Sequence, residues 1–140
     1  ENVHLNDVVI AMAASTNSTM ATSYGLPGIM APTATFDLLN TAVRAAEELG
    51  VSAHVGAVYT SDFFYHPNAE INKIARDTGH LCVEMEAAGL YLTAMAEHKN
   101  ALALFTISDH IFTGEALSAE ERQNSFHQIM EVALKTAVAD

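Results

Sequence analysis

The stretch Leu81-Cys82-Val83-Glu84-Met85-Glu86-Ala87-Ala88-Gly89 passes from an apolar run through two acidic residues into an alanine-rich segment. A short apolar run is typical of a buried strand, and alanine-rich sequence favours a helix. The stretch therefore predicts a strand over residues 81–85 and a helix over residues 87–98. A similar change from strand to helix recurs along the chain.

Three more apolar runs have the length of a strand and cover residues 7–14, 53–59 and 101–107. All four runs are nearly continuous in apolar residues rather than alternating, which is typical of strands buried on both faces. Helical patterns lie between and after them. Strands that alternate with helices predict a layered α/β fold.

The other predicted helices have recognisable ends. Apolar residues at 3–4 spacing predict a helix over residues 35–49, closed by Gly50, and a shorter helix covers residues 68–78. The last helix begins at a capping box formed by Ser118 and Glu121, and it is predicted to continue to the end of the chain. Its apolar stripe comprises Phe126, Ile129, Met130, Ala133, Leu134 and Ala137.

Composition excludes several classes of function. The 140 residues carry a net charge of −11, and the six Lys and Arg are not clustered, so nucleic acid and anionic membranes are poor candidates as partners. The single cysteine, Cys82, cannot form an internal disulfide and indicates a reducing, cytoplasmic setting. The histidines show no metal-ligand spacing, so no metal is expected.

The length corresponds to one domain or part of one. The chain enters an apolar run almost at once, which we interpret as a single, partial domain over residues 1–140.

Polar or aromatic groups follow three of the predicted strands. Ligands of α/β sheets bind beyond the carboxyl ends of the strands, so we expect these groups to share one edge of the sheet. The second strand continues into Phe63-Phe64-Tyr65. These aromatic residues either stack on a flat ligand or belong to the core with one exposed edge.

Two interpretations of Glu84 and Glu86 remain open. In an extended segment they project to one side and Met85 to the other, so the carboxylates could accept hydrogen bonds from two sugar hydroxyls. Met85 could then pack on the apolar face of the sugar. Alternatively, the acids favour a helix N-terminus through the helix dipole.

Asp109 follows the fourth strand, and it is either a turn or helix cap or a functional acid. We expect partly dry surroundings because the preceding run is apolar, and burial favours a protonated carboxyl group that can donate its proton. Arg122 lies on the inward stripe of the last helix, so it requires an anionic partner unless its head reaches water. Twelve residues separate it from Asp109, which is the expected partner. A mobile helix that brings Arg122 to Asp109 when substrate binds is a further hypothesis.

The ordered set of these motifs resembles the bacterial purine nucleoside phosphorylases of the hexameric type. It comprises Phe63-Phe64-Tyr65, Val83-Glu84-Met85-Glu86-Ala87-Ala88-Gly89, Ser108-Asp109-His110 and Glu121-Arg122. The resemblance covers essentially the whole chain. It implies a mixed sheet flanked by helices and apparently lacking its N-terminal part, because the family's phosphate-binding segment precedes the matching region. It also implies a cytoplasmic homohexamer.

The resemblance implies reversible phosphorolysis of purine nucleosides, with phosphate as co-substrate and no cofactor. Asp109 is expected to be the general acid at N7 of the purine, with Ser108 binding the base or orienting Asp109. Arg122 is expected to support proton transfer.

The resemblance also implies a sugar site. Glu86 is expected to hold the ribose hydroxyls with Met85 against the sugar, and Val83 and Glu84 complete that wall. Phe64 is expected to line the pocket.

Two rival functions remain. A purine nucleosidase of the same fold, of the methylthioadenosine and adenosylhomocysteine type, uses water in place of phosphate. A non-catalytic nucleoside-binding fragment would lack the phosphate site. Phe112 also departs from the family, in which a basic residue often follows Ser-Asp-His-Ile.

Overall fold

A computed structural model describes residues 3–124 and 126–139 of the protein. Four strands form one sheet in these residues: β1 (Val8–Thr16), β2 (Ala53–Thr60), β3 (Val83–Glu84) and β4 (Ala103–Thr106). The helices are α1 (Met20–Ser23), α2 (Phe36–Leu49), α3 (Ile71–Asp77), α4 (Ala87–Ala96), α5 (Ala119–Asn124) and α6 (His127–Ala137). The predicted alternation of strands and helices is therefore confirmed.

The sheet is mixed, with the strand order β3-β2-β1-β4. Strands β1, β2 and β3 are parallel, whereas β4 is antiparallel to β1. In this register Thr16 lies beside Thr60, and Thr60 beside Glu84, at the carboxyl ends of the parallel strands. Thr106 lies beside Val8, at the start of β1.

The direction of β4 corrects one prediction. Because β4 is antiparallel to β1, β4 ends beside the start of β1. The residues that follow β4 therefore leave the sheet at the edge opposite to the carboxyl ends of β2 and β3. The expectation that all three strands deliver groups to one edge is thus wrong for β4. An apolar run records burial but carries no information on strand direction.

Both faces of β1 are buried, as its continuous apolar sequence predicts. Val9 and Ala11 belong to a core cluster that includes Tyr91 of α4, whereas Val8 and Ile10 belong to a second cluster. The second cluster contains Ala42, Ala45 and Ala46 of α2 and Val132 of α6. The sheet therefore lies between helices, and this layered arrangement confirms the predicted α/β class.

Helix boundaries agree with the sequence where a cap is present. Helix α2 ends at Gly50 in the left-handed conformation, with φ of 65°, and the Gly50 N–H donates to the Ala46 and Glu47 carbonyls. The Ser118–Glu121 capping box is formed in both directions. The prediction of one continuous last helix is wrong, since α5 and α6 are separate, and Met130 and Leu134 of the predicted stripe are exposed.

Candidate active site

Glu84 lies at the turn between β3 and α4, and its carboxylate is fully engaged by the chain itself. The Thr60 hydroxyl donates to Oε1, while the backbone N–H groups of Glu86 and Ala87 donate to Oε2 at 2.7 and 2.8 Å. The first N–H groups of a helix have no partner within the helix, so this carboxylate supplies one. Glu84 therefore lies at the start of α4, as the second interpretation of the two acids expects, and it acts there by accepting hydrogen bonds.

Met85 and Glu86 are exposed beside this turn. Strand β3 ends at Glu84 and the chain bends at the next two residues, so the alternation of side chains assumed for an extended segment does not continue. The Glu86 Oε2 atom lies 3.3 Å from the Met85 backbone N, a long contact that leaves the carboxylate accessible. Val83 is half-buried and pairs with Tyr59 of β2.

The aromatic connection after β2 lies at the same end of the sheet. Phe63, Phe64 and Tyr65 have exposed fractions of 52%, 79% and 88%, so none of them is a core residue. The buried Ser61 hydroxyl donates to the Phe63 carbonyl, and the Asn17 side chain accepts a hydrogen bond from the Asp62 N–H at 2.9 Å. Their exposure leaves the aromatic rings free to contact a ligand.

Asp109 is held in a short hairpin that follows β4. It forms an antiparallel bridge with Ala116, and the Leu117 N–H donates to the Ser108 carbonyl at 2.8 Å. The chain then enters α5 directly after Ser118. This closed loop explains how Arg122, in α5, returns to Asp109.

Both carboxylate oxygens of Asp109 are hydrogen-bonded. The Ser108 hydroxyl donates to Oδ2 at 2.6 Å, and Arg122 Nη2 donates to Oδ1 at 2.7 Å. The Arg122 Nε–H donates to the Leu117 carbonyl at 3.1 Å, which orients the guanidinium. The predicted pairing of Arg122 with Asp109 is confirmed.

The surroundings of this pair differ from the prediction. The Asp109 and Arg122 side chains are 50% and 46% exposed, so the partly dry environment expected for Asp109 is not present. The apolar run before Asp109 is packed within the sheet, but its burial ends at Ile107.

Comparison with known proteins identifies the family. The family model described as the phosphorylase superfamily matches residues 1–139. The chain belongs to the phosphorylase superfamily. It is 48% identical over 140 residues to the purine nucleoside phosphorylase DeoD-type of Geobacillus stearothermophilus, covering 99% of this chain and 58% of that protein. It is 49% identical over 139 residues to the corresponding protein of Exiguobacterium sibiricum, covering 98% of this chain and 58% of that protein.

A solved structure supports the fold. The purine nucleoside phosphorylase from Toxoplasma gondii in complex with immucillin-H matches with a TM-score of 0.81 at 19% identity, covering 96% of this chain and 56% of that chain. The predicted mixed sheet flanked by helices is confirmed. The chain spans about 58% of the length of the curated relatives above.

Within this member of the phosphorylase superfamily, the predicted site residues fall into two groups. One comprises Phe64, Val83, Glu84, Met85 and Glu86, around the carboxyl ends of β2 and β3. The other comprises Ser108, Asp109 and Arg122, beyond the end of β4. Across residues 3–124 and 126–139, no hydrogen bond or ion pair directly joins the two groups.

Sequence reasoning missed Thr60 and Asn17. Thr60 is 4% exposed, and with Met85 and Gly89 it lines a small cavity of about 110 Å³. Asn17 holds the start of the aromatic connection through Asp62. The available signal for Thr60 was a polar residue at the end of an apolar strand. Asn17 gave no local signal, because its partner Asp62 lies 45 residues later in the sequence.

Metal binding and thiol chemistry have little support in the described part of this superfamily member. Residues 3–124 and 126–139 contain no group of three or more His, Cys, Asp or Glu that could hold a metal ion. Burial raises the pKa of the Cys82 thiol to about 12, which keeps it protonated and unreactive at neutral pH. None of the helices in these residues has both the length and the apolar character needed to cross a membrane.

Proposed function

We propose that this protein catalyses reversible phosphorolysis of purine (deoxy)ribonucleosides. A phosphate oxygen forms a bond to C1′ as the bond from C1′ to the purine nitrogen breaks, giving the free base and (deoxy)ribose 1-phosphate. Relatives with 48–49% identity over nearly all of this chain are named purine nucleoside phosphorylases. The observation that carries the proposal is the Ser108–Asp109–Arg122 arrangement.

Asp109 is the proposed general acid at N7 of the purine. When a carboxyl group gives its proton to N7, the leaving base becomes neutral and the carboxyl group becomes negative. Arg122, at 2.7 Å from Oδ1, and the Ser108 hydroxyl, at 2.6 Å from Oδ2, both stabilise that developing charge. The pair therefore favours the protonated leaving group in the transition state.

The group around α4 is the proposed sugar site. The accessible Glu86 carboxylate accepts hydrogen bonds from ribose hydroxyls, and the exposed Met85 side chain packs on the sugar. Val83 supports this wall from β3, and the exposed Phe64 ring covers the base or ribose. Glu84 contributes through the turn it caps rather than through a free carboxylate.

In this assignment one nucleoside contacts both groups. Strand β1 has a register irregularity between Ala11 and Ala13, in the middle of its length. A bulge bends its strand and increases the local twist. The proposal also includes the partners: phosphate as co-substrate, and a homo-oligomer, a hexamer by family resemblance, in the cytoplasm.

The test is cleavage of inosine and adenosine with and without phosphate, with Asp109→Asn as the matched variant. Phosphate-dependent cleavage that falls at least about 100-fold in the variant supports the proposal. Cleavage in water alone would instead indicate the purine nucleosidase, which the exposed, hydrogen-bonded Asp109 also suits. Binding of inosine without cleavage in either condition would indicate a nucleoside-binding fragment.

A further inference from the structure

Thr60 connects three elements through one buried hydroxyl. It is the last residue of β2, its side chain is buried, and it pairs with Glu84 of β3. The hydroxyl donates to Glu84 Oε1 and accepts a hydrogen bond from the Ala88 N–H of α4 at 3.0 Å. A hydroxyl has one donor and can accept as well, so both of these contacts can form at the same time.

Because Thr60 binds Glu84, the two acids of this turn, Glu84 and Glu86, differ in the availability of their carboxylates. Glu84 accepts hydrogen bonds from Thr60 and from the N–H groups of Glu86 and Ala87, so three donors of the chain occupy it. Glu86 is exposed, and its backbone is held on one side by Glu84 and on the other by the Leu90 N–H at 3.0 Å. The direction of the Glu86 side chain therefore depends on where Glu84 is held.

We propose that Thr60 is a positioning residue for recognition of the sugar, acting through Glu84 on Glu86. This inference rests on the proposed function, because it assigns Glu86 to the ribose hydroxyls. Without the Thr60 hydroxyl, Glu84 Oε1 loses its donor and the buried Ala88 N–H loses its acceptor. The first turn of α4 then becomes less ordered, and the side chains of Met85 and Glu86 are no longer held in one orientation.

The experiment uses the full chain with Thr60→Val, which keeps the shape and removes the hydroxyl, and Thr60→Ser, which keeps the hydroxyl. Glu84→Gln removes the charge from the same contact. Thr136→Val is the matched control, because Thr136 is also buried and its hydroxyl donates to the Val132 carbonyl within α6. Calorimetry compares the dissociation constants of inosine and of the free base hypoxanthine, which has no ribose.

Loss of a hydrogen bond to a charged group corresponds to about a tenfold or greater change in an equilibrium constant. We expect Thr60→Val and Glu84→Gln to weaken inosine binding about tenfold and to change hypoxanthine binding less than about twofold. Thr60→Ser and Thr136→Val should stay close to the unmodified chain. Equal weakening for both ligands would show a general structural defect and overturn the inference, as would unchanged inosine binding.

Amide hydrogen exchange gives a second readout that needs no ligand. Thr60→Val should accelerate exchange at Glu86, Ala87 and Ala88, and Thr60→Ser should not. Unchanged exchange in Thr60→Val would overturn the role of Thr60. If the unmodified chain binds neither inosine nor hypoxanthine, the proposed function is contradicted. Accelerated exchange in Thr60→Val would still support the hydrogen bonds from Thr60 to Glu84 and Ala88.

Discussion

Arg122 Nη2 lies 2.7 Å from Asp109 Oδ1 and joins α5 to the hairpin that follows β4. The guanidinium also donates through Nε to the Leu117 carbonyl, so it is oriented on two sides. Both side chains are about half exposed, so solvent screens the attraction between them. The contact therefore contributes little to stability, and its main effect is to fix the orientation of the Asp109 carboxylate relative to α5.

Arg122→Ala should reduce turnover of inosine while leaving the fold intact. We expect kcat/KM to fall by about 10- to 100-fold, because a hydrogen bond to a charged group is lost where charge develops. The free energy of unfolding should change by less than about 1 kcal/mol, as for other exposed ion pairs. Steady-state kinetics and urea denaturation measure the two quantities. Arg44→Ala, on an exposed part of α2, is the control, and a comparable loss of turnover there would contradict the prediction.

Tyr91→Phe should destabilise the core. The completely buried Tyr91 hydroxyl donates to the Ala11 carbonyl of β1 and accepts from the Ala103 N–H of β4 at 3.0 Å. Removing it leaves two buried backbone groups without this partner, which costs about 1–3 kcal/mol. Chemical denaturation should show this loss for Tyr91→Phe and almost none for Tyr65→Phe, whose ring is exposed. Equal stability of the two variants would contradict the role of Tyr91.

Asp7 should make stability depend on pH on the acidic side. Burial alone raises the pKa of the Asp7 carboxyl, but hydrogen bonds from the His4 backbone N–H and the His54 ring outweigh it and leave the pKa below its usual value. Since the folded-state pKa is the lower one, the contribution to stability is present above the unfolded value of about 3.9. It is lost as the pH falls through the folded value.

Asp7→Asn should therefore cost about 1–3 kcal/mol at pH 7, and the difference from the unmodified chain should shrink towards pH 3. Thermal or urea unfolding across this range provides the measurement. Glu97→Gln, at the exposed end of α4, is the control and should leave the acid side of the profile unchanged. A constant difference between Asp7→Asn and the unmodified chain at every pH would argue against the prediction.

Phe112 should stabilise the Asp109 hairpin through Arg76 of α3. The Arg76 guanidinium carbon lies 4.7 Å from the centre of the Phe112 ring. An exposed cation–π contact contributes about 0.5–1 kcal/mol, so Phe112→Leu should lose about that amount and Phe36→Leu should not. A double-mutant cycle with Arg76→Ala isolates the pairwise energy. Zero coupling would show that the contact is not stabilising.

Local patterns predicted much of the architecture. Gly50 marked the end of α2, and Ser118 with Glu121 marked the start of α5, because both signals act on backbone groups within a few residues. The partner of Arg122 was also predictable, since Asp109 is close in sequence. The break between α5 and α6 was missed because no glycine or proline lies within residues 119–137 to mark it.

The sequence by itself determined which segments are buried, where the capped helices begin or end, and which residues match the motifs of the family. Only the tertiary structure decided that β4 runs against β1, that Glu84 is occupied by Thr60 and the start of α4, and that Asp109 is half exposed. Hydrophobic patterning indicates how much of a segment is buried, and it depends only on residues that are neighbours in the sequence. Strand direction and the Thr60–Glu84 contact depend on pairings between segments that are distant in the chain.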